Sequence, residues 1–364
     1  MDSTARRNKA GSRLYIWLFF LSLVFYVLAR IAPLKDVNAL TKDMVDASRL
    51  MSQASEAISD CRRQNGSGLD HKSDPNLTGL IGREYSEITT SLGQLEAKRT
   101  TTNPNFAGLV VMLLKKAGVK RGDTIAVGAS SSFPALIIAV LSAAEVMELN
   151  PLLICSLGAS QWGANDPHFH WLKIRDCLDA KGIFEVKPVA LSLGGDRDTG
   201  DNILPAGHSI LLEAVKESGL LFIEEPDLKT NVEKKMQIYA KAAAEAEIRA
   251  FINIGGSLSN MGTDEEILKV KPGFTDIHNF PPPEKRGLLF AMANRGIPVI
   301  HLLFMRGLAE KYGLPWDPVP LPQPGEGELY QHIRENSKWF FFLGIAYLLS
   351  IICVLIFRRN WKYG

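Results

Sequence analysis

The sequence predicts an α/β fold: a doubly wound, mostly parallel, Rossmann-like sheet flanked by two transmembrane helices. Three observations lead there. Between residues 70 and 312 short β-rich runs alternate with helical patterns, as parallel strands joined by crossover helices require. Four of those runs end on glycine followed by a small residue and then a polar one. Two long apolar runs, 14–32 and 339–357, stand at the ends of the chain.

Taken in order, residues 1–13 read as a cytoplasmic N-terminus. Arg6, Arg7, Lys9 and Arg13 precede the first apolar run, and positive flanks stay inside. The run 14–32 carries one charge, Arg30, and ~20 residues rising ~1.5 Å each span ~30 Å of hydrocarbon. A cleavable signal peptide ending on Val27-Leu28-Ala29 is the alternative. Residues 36–65 place Met44, Ala47, Met51, Ala54 and Ile58 at helical spacing, which gives an amphipathic helical stalk. In the domain at 70–312, Asn103 as cap and Pro104 at the first position open a helix that ends by Gly118. Strands follow at 124–127, 152–156, 189–192, 250–254 and 299–303, with helices at 133–148, 171–181, 229–247, 286–295 and 305–312. Pro315, Pro318, Pro320, Pro322 and Pro324 favour extended geometry, so 313–338 reads as a stiff tether. The second span, 339–357, has no charge, and the tail 358–364 carries Arg358, Arg359 and Lys362, which keep it cytoplasmic.

With 364 residues, 46% hydrophobic and 22% charged, the chain can bury a sizeable core and belongs to neither a disordered nor a fibrous class. Its formal charge of +2 is unevenly spread. Residues 1–35 hold six Lys/Arg against one Asp and 338–364 hold four Lys/Arg, leaving about −7 between them. Such a domain excludes nucleic acid as a partner, because that ligand demands a clustered basic surface. Cys353 lies in the second span, so Cys61, Cys155 and Cys177 allow at most one internal disulfide. Cys155 with Cys177 is one pairing, and spacing alone does not select it.

The candidate site follows from the strand ends. Gly128 and Ser130 with Ser131, Gly158 with Ser160, Gly194 with Gly195, and Gly255 with Gly256 and Ser257 all fall where a parallel sheet gathers its carboxyl edge. Glycine admits close approach of a ligand and a following helix N-terminus offers N–H groups to an anion. Ser130, Ser131 and Ser132 precede a helix start, where they would cap it or hold a carboxylate. They are also the catalytic candidates, although no Gly-x-Ser-x-Gly elbow surrounds them. Lys98 and Arg99 beside Thr100, Thr101 and Thr102 form a basic, donor-rich stretch in a solvated loop, suited to carboxylates. Asp166, His168 and His170 alternate, and on an extended segment they would share a face and could converge on zinc. Asp196, Asp198 and Asp201 resemble a calcium loop, but Gly207 stands where the bidentate glutamate belongs.

The segments GLIGREYSEITTSLGQLEAKRTTTNPNF (79–106), VGASSSFP (127–134) and SLGASQWGANDP (156–167) resemble the poly-γ-glutamate system protein family, over roughly residues 70 to 310. The resemblance implies an accessory membrane subunit of bacterial poly-γ-glutamate biosynthesis and export, partnered by the synthetase and its small membrane protein. The apolar runs and their basic flanks give an inner-membrane location with both termini cytoplasmic and the α/β domain outside, where the resemblance has it receive, guide or bind the polymer. No reaction, catalytic residue or cofactor comes with it, and the reading is a subunit rather than an enzyme. The alternatives are an extracytoplasmic γ-glutamyl hydrolase or transferase and a small-ligand sensor. A polyanion should be repelled at long range by a domain near −7. Contact is therefore expected at Lys98, Arg99 and the Gly/Ser turns, within a screening length of ~8 Å.

Overall fold

Strands form where apolar residues run without helical period between glycine or polar breaks, and helices form where the period changes to 3.6. A computed structural model of the protein describes residues 16–28, 34–66, 68–185, 187–335 and 338–360. The helices and strands follow one another as α1 (16–28), α2 (Leu34–Gln64), α3 (Leu95–Thr101), α4 (Asn105–Lys116), β1 (Thr124–Ser130), α5 (Pro134–Val146) and β2 (Asn150–Ser156). Then come α6 (Trp171–Ala180), β3 (Ala190–Ser192), α7 (Pro205–Ser218), α8 (Leu228–Ala243), β4 (Ile248–Ile254), α9 (Leu258–Met261) and β5 (Gly273–Thr275). The order closes with α10 (Leu288–Asn294), β6 (Val299–Leu302), α11 (Met305–Tyr312), α12 (Glu328–Glu335) and α13 (Lys338–Asn360).

The six strands form one sheet in the order β3-β2-β1-β4-β6-β5. All neighbours are parallel except the edge strand β5, which pairs antiparallel with β6 through Phe274 opposite Ile300. The expected α/β fold with a mostly parallel sheet is therefore present, with one reversed edge that the sequence reading lacked. All seven residues of β1 are buried, as a central strand covered on both faces must be. Ala126 stands level with Leu152 of β2 and Phe251 of β4. On that face they join Met236 and Tyr239 of α8 and Leu288 and Phe290 of α10 in one core cluster. Tyr239 brings a hydroxyl into this core and satisfies it by donating to the Val127 carbonyl at 2.7 Å. Helix α5, apolar on every side, is buried along nearly its whole length.

The chain divides into two compact units, one of residues 42–329 and one of 1–41 with 330–364. In the second unit Ser22 Oγ lies 2.7 Å from the Tyr347 hydroxyl, and the Phe25 ring lies 5.2 Å from that of Tyr347. Among the described residues no helix is long and apolar enough to cross a membrane. The flanking transmembrane helices expected at 14–32 and 339–357 are corrected accordingly, and the inner-membrane placement inferred from them goes too. The expected cytoplasmic segment 1–13 lies outside the described residues, as do 361–364 of the tail. The cleavage motif at Val27-Leu28-Ala29 runs into 29–33, also outside them.

The stalk is a helix, as its spacing indicates, and its apolar stripe packs on the α/β domain. Met44, Ala47, Met51, Ala54 and Ile58 are fully buried. Arg62 at its end donates to the Gly79 and Ile81 carbonyls at 3.1 and 2.8 Å. A disulfide then joins Cys61 to Cys177 of α6, with Cα atoms 6.3 Å apart. Cys155, the partner weighed for Cys177, is free and buried inside β2, and burial pushes its thiol up to about 12. The proline-rich stretch read as a tether is also bonded to the domain. Asn76 donates to the Pro318 carbonyl at 2.9 Å, and Asn105 donates to the carbonyls of Gln323 and Glu326. Its extended backbone leaves its carbonyls open to such side-chain donors.

Candidate functional site

A crevice of about 540 Å³ opens at the carboxyl edge of the sheet. The chain leaves β1 toward β2 and β3, then returns across β1 to β4. The crevice therefore sits at a topological switch point, the place where open α/β sheets bind ligands. A second hollow of about 570 Å³ at the amino ends of β4 and β6 is lined largely by alanine and glycine and gathers no hydroxyl group.

Its floor is built by the turns that the sequence singled out. Ser130, Ser132, Gly158, Ser160, Gly195, Gly256 and Ser257 all line it, and so does Lys98. Ser130 ends β1, and its Oγ accepts from the Ser132 backbone N–H at 3.2 Å and donates to Ser132 Oγ at 3.0 Å. Ser132 Oγ in turn accepts the backbone N–H of Ser160 at 2.9 Å, which clips the β1 turn to the β2 turn. None of the three serines caps α5, whose N-cap residue is Phe133 with no side-chain bond, so the capping expectation is corrected. Ser131 points away from the crevice and donates to the Ser156 carbonyl at 2.6 Å. Gly128 is a packing residue inside β1: a Cβ there would meet Asn260 Nδ2 at 2.8 Å and the Phe251 ring at 3.0 Å. Gly194 and Gly255 shape their turns with left-handed backbone, φ 73° and 80°, rather than lining the hollow.

Lys98 is the feature that departs furthest from the sequence reading. It lies on helix α3, not in a solvated loop, and there Thr100 and Thr101 return their hydroxyls to the helix's own carbonyls, Glu96 and Lys98, at 2.7 Å each. Lys98 is 3% exposed. Its Nζ donates to Ser160 Oγ at 2.8 Å and to the Ser132 carbonyl, and it sits 3.8 Å from the centre of the Phe133 ring. Among the described residues no carboxylate pairs with it. Burial without a counter-ion lowers its ammonium to about 7. Arg99, one residue on, faces elsewhere: its Nε donates to Asp317 Oδ1 at 2.7 Å in a two-pronged pair that fastens the proline-rich segment. It is not a ligand group of the crevice, which corrects that expectation.

The alternating Asp166, His168 and His170 do not form a zinc site. The segment is a turn rather than extended. Both Asp166 oxygens are engaged by Arg62 and Arg83, each at 3.3 Å, while burial lowers His170 to about 4. Among the described residues no group of three His, Cys, Asp or Glu side chains could hold a metal ion. Of the calcium-like aspartates, Asp198 and Asp201 are likewise taken, while Asp196 is exposed and lines the crevice. Asp201 accepts from Thr199 at 2.7 Å and pairs with Arg197, while Asp198 turns inward to Lys235 at 2.7 Å, Ser192 at 2.8 Å and Asn231 at 3.2 Å.

Several site residues escaped the sequence reading. Arg306, exposed at the start of α11, lines the crevice and holds its guanidinium 4.7 Å from the centre of the Trp316 ring. Among the described residues no carboxylate pairs with it. Phe304 sets that rim from a left-handed backbone, φ 58°. The strand end before it, Leu302-Leu303-Phe304, carries no glycine or serine to announce a site. The backbone N–H groups of Gly256 and Ser257 donate to no acceptor among the described residues. Lys235 joins Asp198 to Ser259, whose Oγ is 2.6 Å from Lys235 Nζ and 3.0 Å from Ser257 Oγ. Chemically the hollow offers one buried, easily neutralised amine, a cluster of hydroxyls, two open amides, one fixed cation at the rim and one carboxylate, Asp196. No family model, no curated protein and no solved structure matches the chain.

Proposed function

We propose that the crevice binds a γ-glutamyl chain and that the protein is an accessory factor in poly-γ-glutamate biosynthesis and export, acting beside the synthetase and its small membrane partner. The sequence resemblance over residues 79–167 supports the substrate. The observation that carries the reading is Arg306, a fixed cation stacked on Trp316 at the lip of a hydroxyl-lined floor. A guanidinium presents a rigid fork to a carboxylate, and its aromatic partner limits the rotamer freedom lost on binding. The hydroxyls of Ser130 and Ser257 and the open amides of Gly256 and Ser257 match the amide and carboxyl oxygens that a γ-linked backbone repeats.

Only local attraction of this kind can hold a polyanion on a domain near −7, because the long-range field opposes it. Titration of the full-length protein with a γ-glutamyl oligomer in a calorimeter tests the reading. Binding should weaken tenfold or more in Arg306→Ala, the loss of one charge-assisted contact worth ~1.5–3 kcal/mol. Equal affinity in wild type and variant would overturn it.

A further inference from the structure

We propose that Ser160 is a nucleophile and Lys98 its general base, so that the crevice cleaves or transfers the γ-glutamyl amide bond of its ligand. The choice of substrate rests on the preceding reading; the dyad itself does not. Four observations converge on it. Lys98 Nζ and Ser160 Oγ are 2.8 Å apart, within direct proton-transfer reach. Both side chains line the same hollow. The dyad is held in place on each side, since Ser160 N–H is tied to Ser132 Oγ at 2.9 Å and Lys98 Nζ to the Ser132 carbonyl. The amine is buried beside Phe133 with no carboxylate among the described residues to keep it charged, which is how a lysine is prepared to accept a proton near neutrality. Its depressed ammonium agrees with this.

The sequence directs attention to Ser130–Ser132 as nucleophiles, but the structure assigns them other work. Ser131 is turned onto β2, and Ser130 and Ser132 bond to each other and brace Ser160. Serine with lysine as base is one of the convergent forms of the nucleophile–base pair.

In the first step neutral Lys98 takes the Ser160 hydroxyl proton as Oγ attacks the γ-carbonyl carbon. The Oγ–C bond forms and the carbonyl oxygen becomes an oxyanion, for which the open N–H groups of Gly256 and Ser257 are available donors in the same crevice. Collapse breaks the C–N bond, and the Lys98 ammonium gives its proton to the departing amine nitrogen. A γ-glutamyl ester on Ser160 remains. Water, or an acceptor amine in a transfer, then attacks the ester carbonyl while Lys98 takes its proton. Oγ leaves and recovers that proton, so hydrolysis consumes one amide and one water and yields one carboxylic acid and one amine.

The test begins with a fluorophosphonate probe on the full-length protein, which reports an activated serine whatever the natural acyl group. Peptide mapping by mass spectrometry is expected to place the adduct on Ser160, with labelling that accelerates as pH rises through about 7. Ser160→Ala should lose the adduct. Lys98→Met and Lys98→Arg should slow it at least a hundredfold while melting cooperatively. Absence of labelling in wild type, an adduct on another serine, or undiminished labelling in both Lys98 variants would overturn the dyad. A γ-glutamyl oligomer is then titrated and assayed for new amine ends. Cleavage that disappears in Ser160→Ala while the oligomer still binds supports both readings. Probe labelling without oligomer binding retains the dyad and rejects the γ-glutamyl substrate, and oligomer binding without labelling or cleavage retains the binding reading and rejects the dyad.

Discussion

Lys235 Nζ lies 2.7 Å from Asp198 Oδ2, and the two side chains are only 3% and 2% exposed. Asp198 reaches this position from a left-handed backbone, φ 64°, next to Arg197 at φ 51°. Ser192, Asn231 and Ser259 complete the bonding of the pair. The ion pair thus joins the β3 turn, α8 and α9 behind the crevice floor.

Removing one partner of that pair leaves an uncompensated charge in the core. Lys235→Met is expected to lower the unfolding free energy by ~3–5 kcal/mol. The double variant Lys235→Met with Asp198→Asn should recover much of that loss. Urea denaturation of the two variants checks it: a double variant no more stable than the single one would show that the charge itself does not matter.

Lys98 makes stability depend on pH in a definite direction. Its folded ammonium titrates near 7, below the 10.5 of an unfolded lysine. Between those values the unfolded chain binds more protons, so stability rises with pH from about 7 to about 10.5, and it is lost again as pH falls from 10.5 to about 7, where both states are protonated. At ~1.4 kcal/mol per unit, wild type should gain a few kcal/mol relative to Lys98→Met between pH 7 and 9.5. Denaturant midpoints measured in parallel at four pH values would show a constant difference if the amine were not perturbed.

The Cys61–Cys177 disulfide closes a loop over a sequence separation of 116. Chain-entropy reasoning gives roughly 4–5 kcal/mol of stability for a loop of that order. Cys61→Ser with Cys177→Ser should therefore melt well below the oxidised wild type, and a reductant should move only the wild type. Equal melting temperatures would mean that the packing of α2 suffices by itself.

The pair of Arg99 with Asp317 fastens the proline-rich stretch to α3, helped by Thr100 Oγ1, which accepts the Asp317 backbone N–H at 2.9 Å. Arg99→Ala should increase amide exchange over 314–324 and speed proteolytic cutting there. Since Trp316 lies in this stretch and supports Arg306, ligand affinity should also fall severalfold. An exchange pattern unchanged from wild type would remove Arg99 from this role.

What could be read from the sequence was local. The turns at 128–131, 158–160, 194–195 and 255–257 announce the carboxyl edge because βα turns need small residues, and most of them reach the crevice. The stripe from Met44 to Ile58 announces a buried helix face. Helix α7 carried usable signals too, Pro205 in its first turn and Gly219 beyond its end. The rest depends on partners far away in the chain. Leu95–Thr101 has no apolar stripe to mark it as buried, and Lys98 becomes an unpaired core amine only when residues 132, 133 and 160 close around it. Asp166 reads as a metal ligand until Arg62, 104 positions earlier, occupies it. The edge strand Gly273–Thr275 is three residues long, too short for alternation to show.

The bond between Cys61 and Cys177 encloses Lys98, Ser130, Ser132 and Ser160 in one covalent ring, whereas Gly256, Ser257, Arg306 and Trp316 lie outside it. The crevice is therefore shared between a circular segment and a linear one. The ring limits how far Lys98, Ser130, Ser132 and Ser160 can drift from one another when the fold loosens, a limit that the linear part lacks.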